Sequence, residues 1–279
     1  MKKRDVVSLL LAWAILLMIL VFLLFPIYWM VVTGLKNNME AYEYPPTFFP
    51  RLLSLDSFRS LFLENNQFFV YYGNNFLVSA WTAAICCVLA VFTGYALARF
   101  HNRWTGLMTA LLLSTQMFPI VSRMISLYSL MRKMGIINTR FGLILAVSAA
   151  QIPFCAVLMG SFYANVPKSI EEAAFVDGAD RNTILLRIVT PLVKPGMLAV
   201  GIYAFLMAWD DYLHAATLIQ NDKLRTLSIG IALRYLGELS YDWSLINAIS
   251  VVGTLPMVLL FFFFQKYMVK GLVAGAVKG

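Results

Sequence analysis

Near its start the chain has a run over residues 6–32 that contains no charged side chain. A helix needs about 20 apolar residues to cross the hydrocarbon core of a bilayer. The run is too long for the apolar part of a cleaved signal peptide, and no small-x-small cleavage site follows it. The sequence therefore predicts an uncleaved first membrane span. The basic residues Lys2, Lys3 and Arg4 before it predict a cytoplasmic N-terminus.

The overall composition extends this argument to the whole chain. Hydrophobic residues make up 61% of it and charged residues only 13%, whereas a soluble domain has about 25% charged residues. Disorder, a disulfide miniprotein and most soluble enzymes are excluded. Cys86, Cys87 and Cys155 lie inside apolar runs without CxxC spacing, so no disulfide framework or metal site is predicted. The net charge of +8 is scattered between apolar runs, and no nucleic-acid binding is predicted.

Five further apolar runs predict an all-α membrane protein with six transmembrane helices. These runs cover residues 75–98, 106–121, 141–163, 195–219 and 245–264. The predicted organisation is a first span over 1–33, an outer loop over 34–73, a core of five spans over 74–268 and a cytoplasmic tail over 269–279. Six spans place both termini in the cytoplasm, and the distribution of lysine and arginine favours this orientation weakly.

One segment between spans, residues 164–191, predicts two short helices on the cytoplasmic side. Ser169 and Glu172 have the spacing of a capping box and start the first helix. Gly178 ends it in a turn that allows a positive φ. Asp180 caps the second helix, and Pro191 breaks that helix before the fifth span.

The second short helix carries Ile184, Leu185 and Ile188 on one face. An exposed apolar face beside charges marks either a surface for a protein partner or a helix lying on lipid. The residues alone leave both interpretations open.

A sequence motif in this segment resembles the EAA loop of ABC importer permeases, whose pattern is E-A-A-x3-G-x9-I-x-L-P. The matching positions are Glu172, Ala173, Ala174, Gly178, Ile188 and Pro191. Thr190 stands where the family usually has leucine. The tail over 266–279, and Trp209 to Tyr212, are similar to MalG-type sugar permeases, with Asp210 in place of the usual asparagine.

This resemblance implies a type I ABC importer permease (MetI-like) fold with a cytoplasmic coupling helix, in the bacterial inner membrane. It implies a second permease subunit as heterodimer partner, two ATP-binding cassette ATPase subunits and an extracytoplasmic solute-binding protein. Membrane lipid and a sugar substrate complete the expected partners, and no cofactor is expected. The sequence does not name the sugar.

The resemblance also implies roles for particular residues. Those expected to couple to the ATPase are Glu171, Glu172, Ala173, Ala174, Asp177, Gly178, Ile188 and Pro191. Glu172 has the alternative role of a helix cap. Tail residues expected to contact the ATPase are Gly271, Gly275 and Lys278. The alternative for the tail is a basic segment that binds anionic lipid.

Four polar residues within predicted spans are candidates for the translocation path: Gln116, Gln151, Asp210 and Asp211. A charge in a span usually faces a cavity or a partner. The alternative for the aspartates is a position at the outer interface. The glutamines either line the path or bridge helices.

Catalytic chemistry is not predicted. The chain lacks the G-x-x-x-x-G-K-[ST] phosphate loop, so ATP hydrolysis is expected in a separate chain. His101 and His214 stand alone and are expected to be structural. The alternatives are a stand-alone ion-coupled carrier, an ABC permease for a solute other than sugar, or a membrane enzyme. No inverted repeat and no cluster of catalytic residues supports the carrier or the enzyme.

Overall fold

The computed structural model describes residues 3–64, 66–100, 102–235 and 241–276, and the side chains of 9–64, 66–100, 102–235 and 241–265. His101 and Lys278 lie outside these ranges. Every regular element within them is helical. The α-helices are α1 (Lys3–Gly34), α2 (Asn38–Ala41), α3 (Asp56–Leu63), α4 (Asn66–Arg99), α5 (Arg103–Met117), α6 (Ile120–Lys133), α7 (Arg140–Ala164), α8 (Lys168–Val176), α9 (Arg181–Thr183), α10 (Thr190–Leu192), α11 (Lys194–Trp209), α12 (Leu213–Leu218), α13 (Leu227–Gly230) and α14 (Trp243–Ala276). Two π-helical stretches, Ile184–Val189 and Ile231–Tyr235, and a 3₁₀ turn, Asp222–Leu224, complete the order.

Four helices in the described ranges are long and apolar enough to span a membrane: Leu9–Gly34, Asn66–Arg99, Arg140–Ala164 and Trp243–Gln265. Two helix pairs reach this length only together. The pair α5 and α6 is bent by 104°, and the segment Arg181–Leu192 is bent by 78° against α11. The total is six spans when each bent pair counts as one. The all-helical membrane fold predicted from the sequence is confirmed.

The bent pairs correct the predictions for the third and fifth spans. The third span does not end near residue 121, because α6 continues the chain after a sharp bend at Phe118 and Pro119. A residue before proline is driven out of the helical region, and Phe118 is extended. The fifth span ends at Trp209 rather than residue 219, and the separate helix α12 follows.

Two other boundaries differ from the sequence prediction. Helix α4 begins at Asn66, inside the predicted outer loop. Helix α14 continues to Ala276, so most of the predicted tail over 269–279 is helical. The predicted outer loop also contains the short helices α2 and α3.

The chain divides into two compact units. The first contains Met1–Phe69 and Ile231–Leu255, and within it the segment over 34–73, predicted as an outer loop, is folded rather than extended. The Tyr42 hydroxyl donates to the Tyr241 carbonyl at 2.6 Å, and the Trp243 amide donates to Asn38 Oδ1 at 3.1 Å. The loop is thereby attached to the start of α14.

Glu40 organises this loop. Its carboxylate is buried and accepts hydrogen bonds from the Thr47 hydroxyl at 2.8 Å and the Arg51 amide at 3.0 Å. Burial raises the pKa of Glu40, but these hydrogen bonds and the charges of Lys36 and Arg51 outweigh it, so the pKa lies below its usual value. A lowered carboxyl pKa stabilises the fold above the usual pKa, and the stabilisation is lost as the pH falls through the lowered value.

We expect Glu40→Ala to open the outer loop. The change leaves the part-buried donors of Thr47 and Arg51 without an acceptor, which costs about 1 kcal/mol. Hydrogen exchange over residues 40–51 should speed up at neutral pH, and the wild-type protection should fall towards the variant's value in acid. The control is Glu43→Ala, because Glu43 pairs with Arg51 at the exposed surface. Equal exchange in the two variants would contradict the role of Glu40.

The second unit contains Val70–Gly230 and Pro256–Gly279. Helix α7 lies at its centre, where it packs against α5, α11 and α12. One core cluster joins α4, α7 and α11 through residues that include Cys86, Cys155, Met159 and Val200. The three cysteines are free, as the sequence predicts. Proline is tolerated inside α7 at Pro153.

Helices α4 and α7 cross at two glycines. A Cβ atom on Gly94 would lie 2.8 Å from Met159 Cβ and 2.9 Å from the Gly160 nitrogen. Helix association in membranes depends on such close backbone approach, because lipid supplies no hydrophobic driving force between helices. The crossing therefore requires a residue without a side chain at position 94.

We expect Gly94→Ala to destabilise this crossing by about 1–3 kcal/mol, since the added methyl group meets backbone atoms. The midpoint of thermal unfolding in detergent should fall. Gly106→Ala is the matched control, because a Cβ there meets nothing within 4 Å and alanine favours the helix. An unchanged midpoint for Gly94→Ala would contradict the tight crossing.

Candidate functional site

The segment over residues 164–191, called the EAA segment below, forms a turn between two helical parts. Gly178 has a φ of 86°. The Gly178 amide donates to the Phe175 carbonyl at 3.1 Å, and the Ala179 amide donates to the Ala174 carbonyl at 3.0 Å. These bonds satisfy the carbonyl groups at the end of α8. The predicted glycine turn is confirmed.

Asp180 caps the next helix, as predicted. Its side chain accepts a hydrogen bond from the Thr183 amide at 3.2 Å. Hydrogen bonds with the side chain and backbone of Thr183 hold the pKa of Asp180 below its usual range. The turn between the two helical parts is therefore closed by local hydrogen bonds on both sides.

Two predictions about helix ends in this segment are wrong. Helix α8 is preceded by Pro167, without a side-chain cap, so Ser169 and Glu172 do not form a capping box. Proline fixes φ and suits a helix start, which removes the need for a serine cap. Pro191 does not break the second helical part, because it lies inside α10, and the break falls at Val193.

Glu171 fixes the EAA segment to the rest of the unit. One of its carboxylate oxygens lies 2.5 Å from Arg99 Nε, and the other accepts from the Tyr95 hydroxyl at 2.7 Å. The side chains of Arg99 and Glu171 are only 8% and 14% exposed. Arg99 also donates to the Val166 carbonyl at 2.9 Å. The end of α4 thus holds both the start of α8 and the chain before it.

A second connection joins the EAA segment to α7. The hydroxyl groups of Tyr163 and Thr190 are 3.0 Å apart. The Tyr163 ring packs edge-to-face on Tyr95, with 5.5 Å between centroids. Thr190, where the motif usually has leucine, therefore has a structural partner. The pair Tyr95 and Arg99 was missed by the sequence analysis, although their spacing of four residues places them on one face of α4.

The apolar residues that are exposed in the EAA segment are not the ones predicted from the sequence. Ile184 and Leu185 are buried and Ile188 is half-buried in the core of the chain, so they do not form the predicted exposed face. The large apolar residues with the greatest exposure in the segment are Phe175 and Val176, at 66% and 85%, followed by Leu186 at 48% and Ile170 at 37%. Phe175 and Val176 precede the Gly178 turn, and the sequence analysis did not select them.

The remaining motif residues frame this apolar tip. Ala174 is buried, whereas Glu172, Ala173, Asp177 and Gly178 are exposed. A cavity of about 480 Å³ opens beside α8. Its lining combines cations with apolar groups and includes Arg99, Lys168, Glu172, Phe175 and Arg181. The arrangement is a rigid projecting turn beside a charged groove.

The candidate residues for the translocation path separate into different environments. The Gln116 amide donates to the Ala150 carbonyl at 2.8 Å and so bridges α5 to α7. Gln151 is half-buried in α7. Asp210 and Asp211 both follow the end of α11, so the predicted span over 195–219 is interrupted at their positions, and a role for them in the translocation path stays a prediction.

Asp211 has a structural role at this break. Its carboxylate lies 2.6 Å from His214 Nδ1 and accepts from the Ala215 amide at 3.1 Å. It thereby starts α12. His214 is buried, while Asp210 is exposed. The contact with Asp211 gives His214 a partner at the start of α12.

Of the predicted tail residues, Gly271 and Gly275 lie within α14, and Lys278 is outside the described residues. Over the described part of the chain, no group of three or more His, Cys, Asp or Glu side chains is placed to hold a metal ion.

These features define a multi-span helical membrane protein with a folded, anchored hairpin between two spans. Residues 87–273 match the family described as "Binding-protein-dependent transport system inner membrane component". The chain belongs to this family, and the predicted class of ABC importer permease is confirmed.

Two relatives cover almost the entire chain. The chain is 35% identical to the sulfoquinovosyl glycerol transport system permease protein SmoH of Agrobacterium fabrum, covering 92% of this chain and 89% of the relative. It is 30% identical to the trehalose/maltose transport system permease protein MalG of Thermococcus litoralis, covering 92% of each. The predicted MalG-type resemblance is confirmed.

A solved structure has the same fold. It is a chain of a bacterial ABC transporter involved in the import of the acidic polysaccharide alginate. The TM-score is 0.82 at 20% identity, and the match covers 96% of this chain and 98% of the other. The fold of an ABC importer permease is therefore established for this chain.

We expect Arg99→Met and Glu171→Gln each to lower the thermal stability of the chain. Removal of one partner of a buried ion pair costs about 3 kcal/mol, because the other charge stays buried. The double variant should lose less than the sum of the single variants. The measurement is the unfolding midpoint in detergent. Glu172→Gln is the control, since this neighbour is exposed, and strict additivity would contradict the anchoring role.

Proposed function

We propose that this chain is a transmembrane pore subunit of an ATP-driven importer for an oligosaccharide or related sugar, delivered by an extracytoplasmic solute-binding protein. Membership of the binding-protein-dependent family supports the mode of delivery. The relatives named for sulfoquinovosyl glycerol and for trehalose/maltose transport support a carbohydrate substrate. The subunit itself is proposed to carry no ATPase activity.

The observation that carries the proposal is the geometry of the EAA segment. Phe175 and Val176 are exposed at the end of a helix whose other end is fixed by Glu171 to Arg99. Burying a phenylalanine side chain against a partner contributes about 1.5–3 kcal/mol. We infer that these two residues contact an ATPase subunit, together with Glu172, Ala173 and Asp177 beside them.

Coupling requires that a displacement at this contact reaches the spans. The ion pair of Glu171 and Arg99 carries a displacement of α8 into α4. The hydroxyl contact of Tyr163 and Thr190 carries it into α7. A closed turn and a buried ion pair deform less than a flexible loop, so ATP-driven closure of the ATPase would change the pore between two access states.

The proposed assembly contains a second permease subunit, two ATPase subunits and the solute-binding protein. Both termini are proposed to be cytoplasmic. Gly271, Gly275 and Lys278 would then lie on the ATPase side, where tail contacts with the ATPase are proposed. The EAA segment would face the same side, because two spans, an even number, separate it from the C-terminus.

We expect Phe175→Ser to disconnect the ATPase from this permease. The change removes exposed apolar surface at the proposed contact and leaves the buried anchor intact. Co-purification of ATPase subunits should fall at least tenfold, and sugar uptake into proteoliposomes should be lost. The unfolding midpoint of the permease should not change.

The matched control is Asn182→Ser, an exposed polar position in the same segment, which should assemble and transport normally. Glu172→Lys and Gly178→Pro extend the test to the motif itself. Normal assembly and transport in Phe175→Ser, Glu172→Lys and Gly178→Pro alike would overturn the assignment of the EAA segment as the contact with the ATPase. Uptake by the purified chain without ATP would identify a stand-alone carrier instead.

A further inference from the structure

A second cavity lies in the same unit, away from the EAA segment. Its volume is about 470 Å³, which is within the range of ligand sites. It forms where α5 and α6 bend by 104° and beside Pro153 in α7. Interrupted helices are tolerated at membrane depth where they line a cavity. In transporters such interruptions commonly form the substrate site.

Arg123 contributes a positive charge to this cavity. Its Nη1 atom donates to the Thr115 carbonyl at 3.3 Å, a weak hydrogen bond, and its Nε atom is buried without a partner. No carboxylate lines the cavity, and in the described part of the chain no Asp or Glu lies within ion-pair distance of Arg123. An uncompensated guanidinium in a mostly apolar site is costly unless an anion binds to it.

The other ionisable group in the lining does not neutralise Arg123. His214 lines the cavity, and the Asp211 carboxylate lies 2.6 Å from its Nδ1 atom. This carboxylate also accepts the Ala215 amide, so its oxygen atoms are engaged at the start of α12. The charge that remains in the cavity is therefore the charge of Arg123.

We propose that this cavity binds the negatively charged group of an anionic sugar, a carboxylate or a sulfonate, and that Arg123 pairs with it. The inference rests on the proposed function and specifies its substrate class. A guanidinium binds both groups through two parallel hydrogen bonds, which a neutral sugar does not offer. Ser126 in the lining can bind a sugar hydroxyl group. The Thr115 hydroxyl donates to the Leu112 carbonyl at 2.7 Å and keeps only its acceptor side for the sugar.

The test compares matched probes on the full importer in lipid nanodiscs. Methyl glucoside and methyl glucuronide differ only in a carboxylate in place of the hydroxymethyl group, and methyl sulfoquinovoside carries a sulfonate there. Calorimetric titration should show at least tenfold tighter binding of both charged probes. Arg123→Gln should remove this preference, and Arg123→Lys should keep part of it. Arg132→Gln, an exposed arginine on the same helix, is the control and should leave the preference unchanged.

ATP hydrolysis stimulated by the solute-binding protein is measured on the same samples, which separates the two proposals. Stimulated hydrolysis with equal affinity for neutral and charged probes would overturn the anionic site and leave the proposed function intact. An unchanged preference in Arg123→Gln would also overturn it, as would a partner carboxylate seated on Arg123 in the assembled complex. Failure of the importer to assemble would count against the proposed function. The same titration would then be run on the purified chain, where equal affinity for neutral and charged probes would overturn the anionic site.

Discussion

The buried ion pair between Glu171 and Arg99 is the interaction on which the functional architecture depends. It joins the first turn of α8 to the last residue of α4, and the Tyr95 hydroxyl occupies the second carboxylate oxygen. Two charges removed from water are tolerated only when their hydrogen bonds are satisfied. Here a second guanidinium nitrogen, Nη2 of Arg99, donates to the Val166 carbonyl. The helix before the Gly178 turn is therefore held rigidly, although it projects Phe175 and Val176 outward.

Helix α7 connects this anchored segment to the proposed substrate cavity within one unit. Its end carries Tyr163, which contacts Thr190, and Gly160 lies at the crossing with α4. Pro153 precedes Tyr163 by ten residues, and a helix rises by about 1.5 Å per residue, so the two lie about 15 Å apart along α7. Pro153 lines the cavity together with Arg123. A close-packed crossing transmits displacement because it leaves no space to absorb it. The same element thus supports the coupling turn at one end and shapes the cavity further along.

Hydropathy predicted the helical membrane fold because a long uncharged run such as residues 6–32 has no other stable environment. The Gly178 turn and the Asp180 cap were also predictable, because each is formed by hydrogen bonds between residues at most five positions apart. The bend at Pro119 was missed because α6 after it is much less apolar than α5 and contains Arg123, Arg132 and Lys133, so the predicted span was ended near residue 121. The Arg99 anchor was missed because it joins positions 72 residues apart, which no sequence periodicity records. The exposed tip at Phe175 and Val176 was missed because burial of Ile184 and Leu185 is a tertiary outcome.

The most direct measurement of the central claim is site-specific photocrosslinking in intact membranes. A benzophenone amino acid replaces Phe175 in one sample and the exposed Ile125 of α6 in the other. We predict a covalent adduct between the permease and an ATPase subunit from position 175 and none from position 125. An adduct from position 175 with lipid alone, or equal ATPase adducts from both positions, would contradict it.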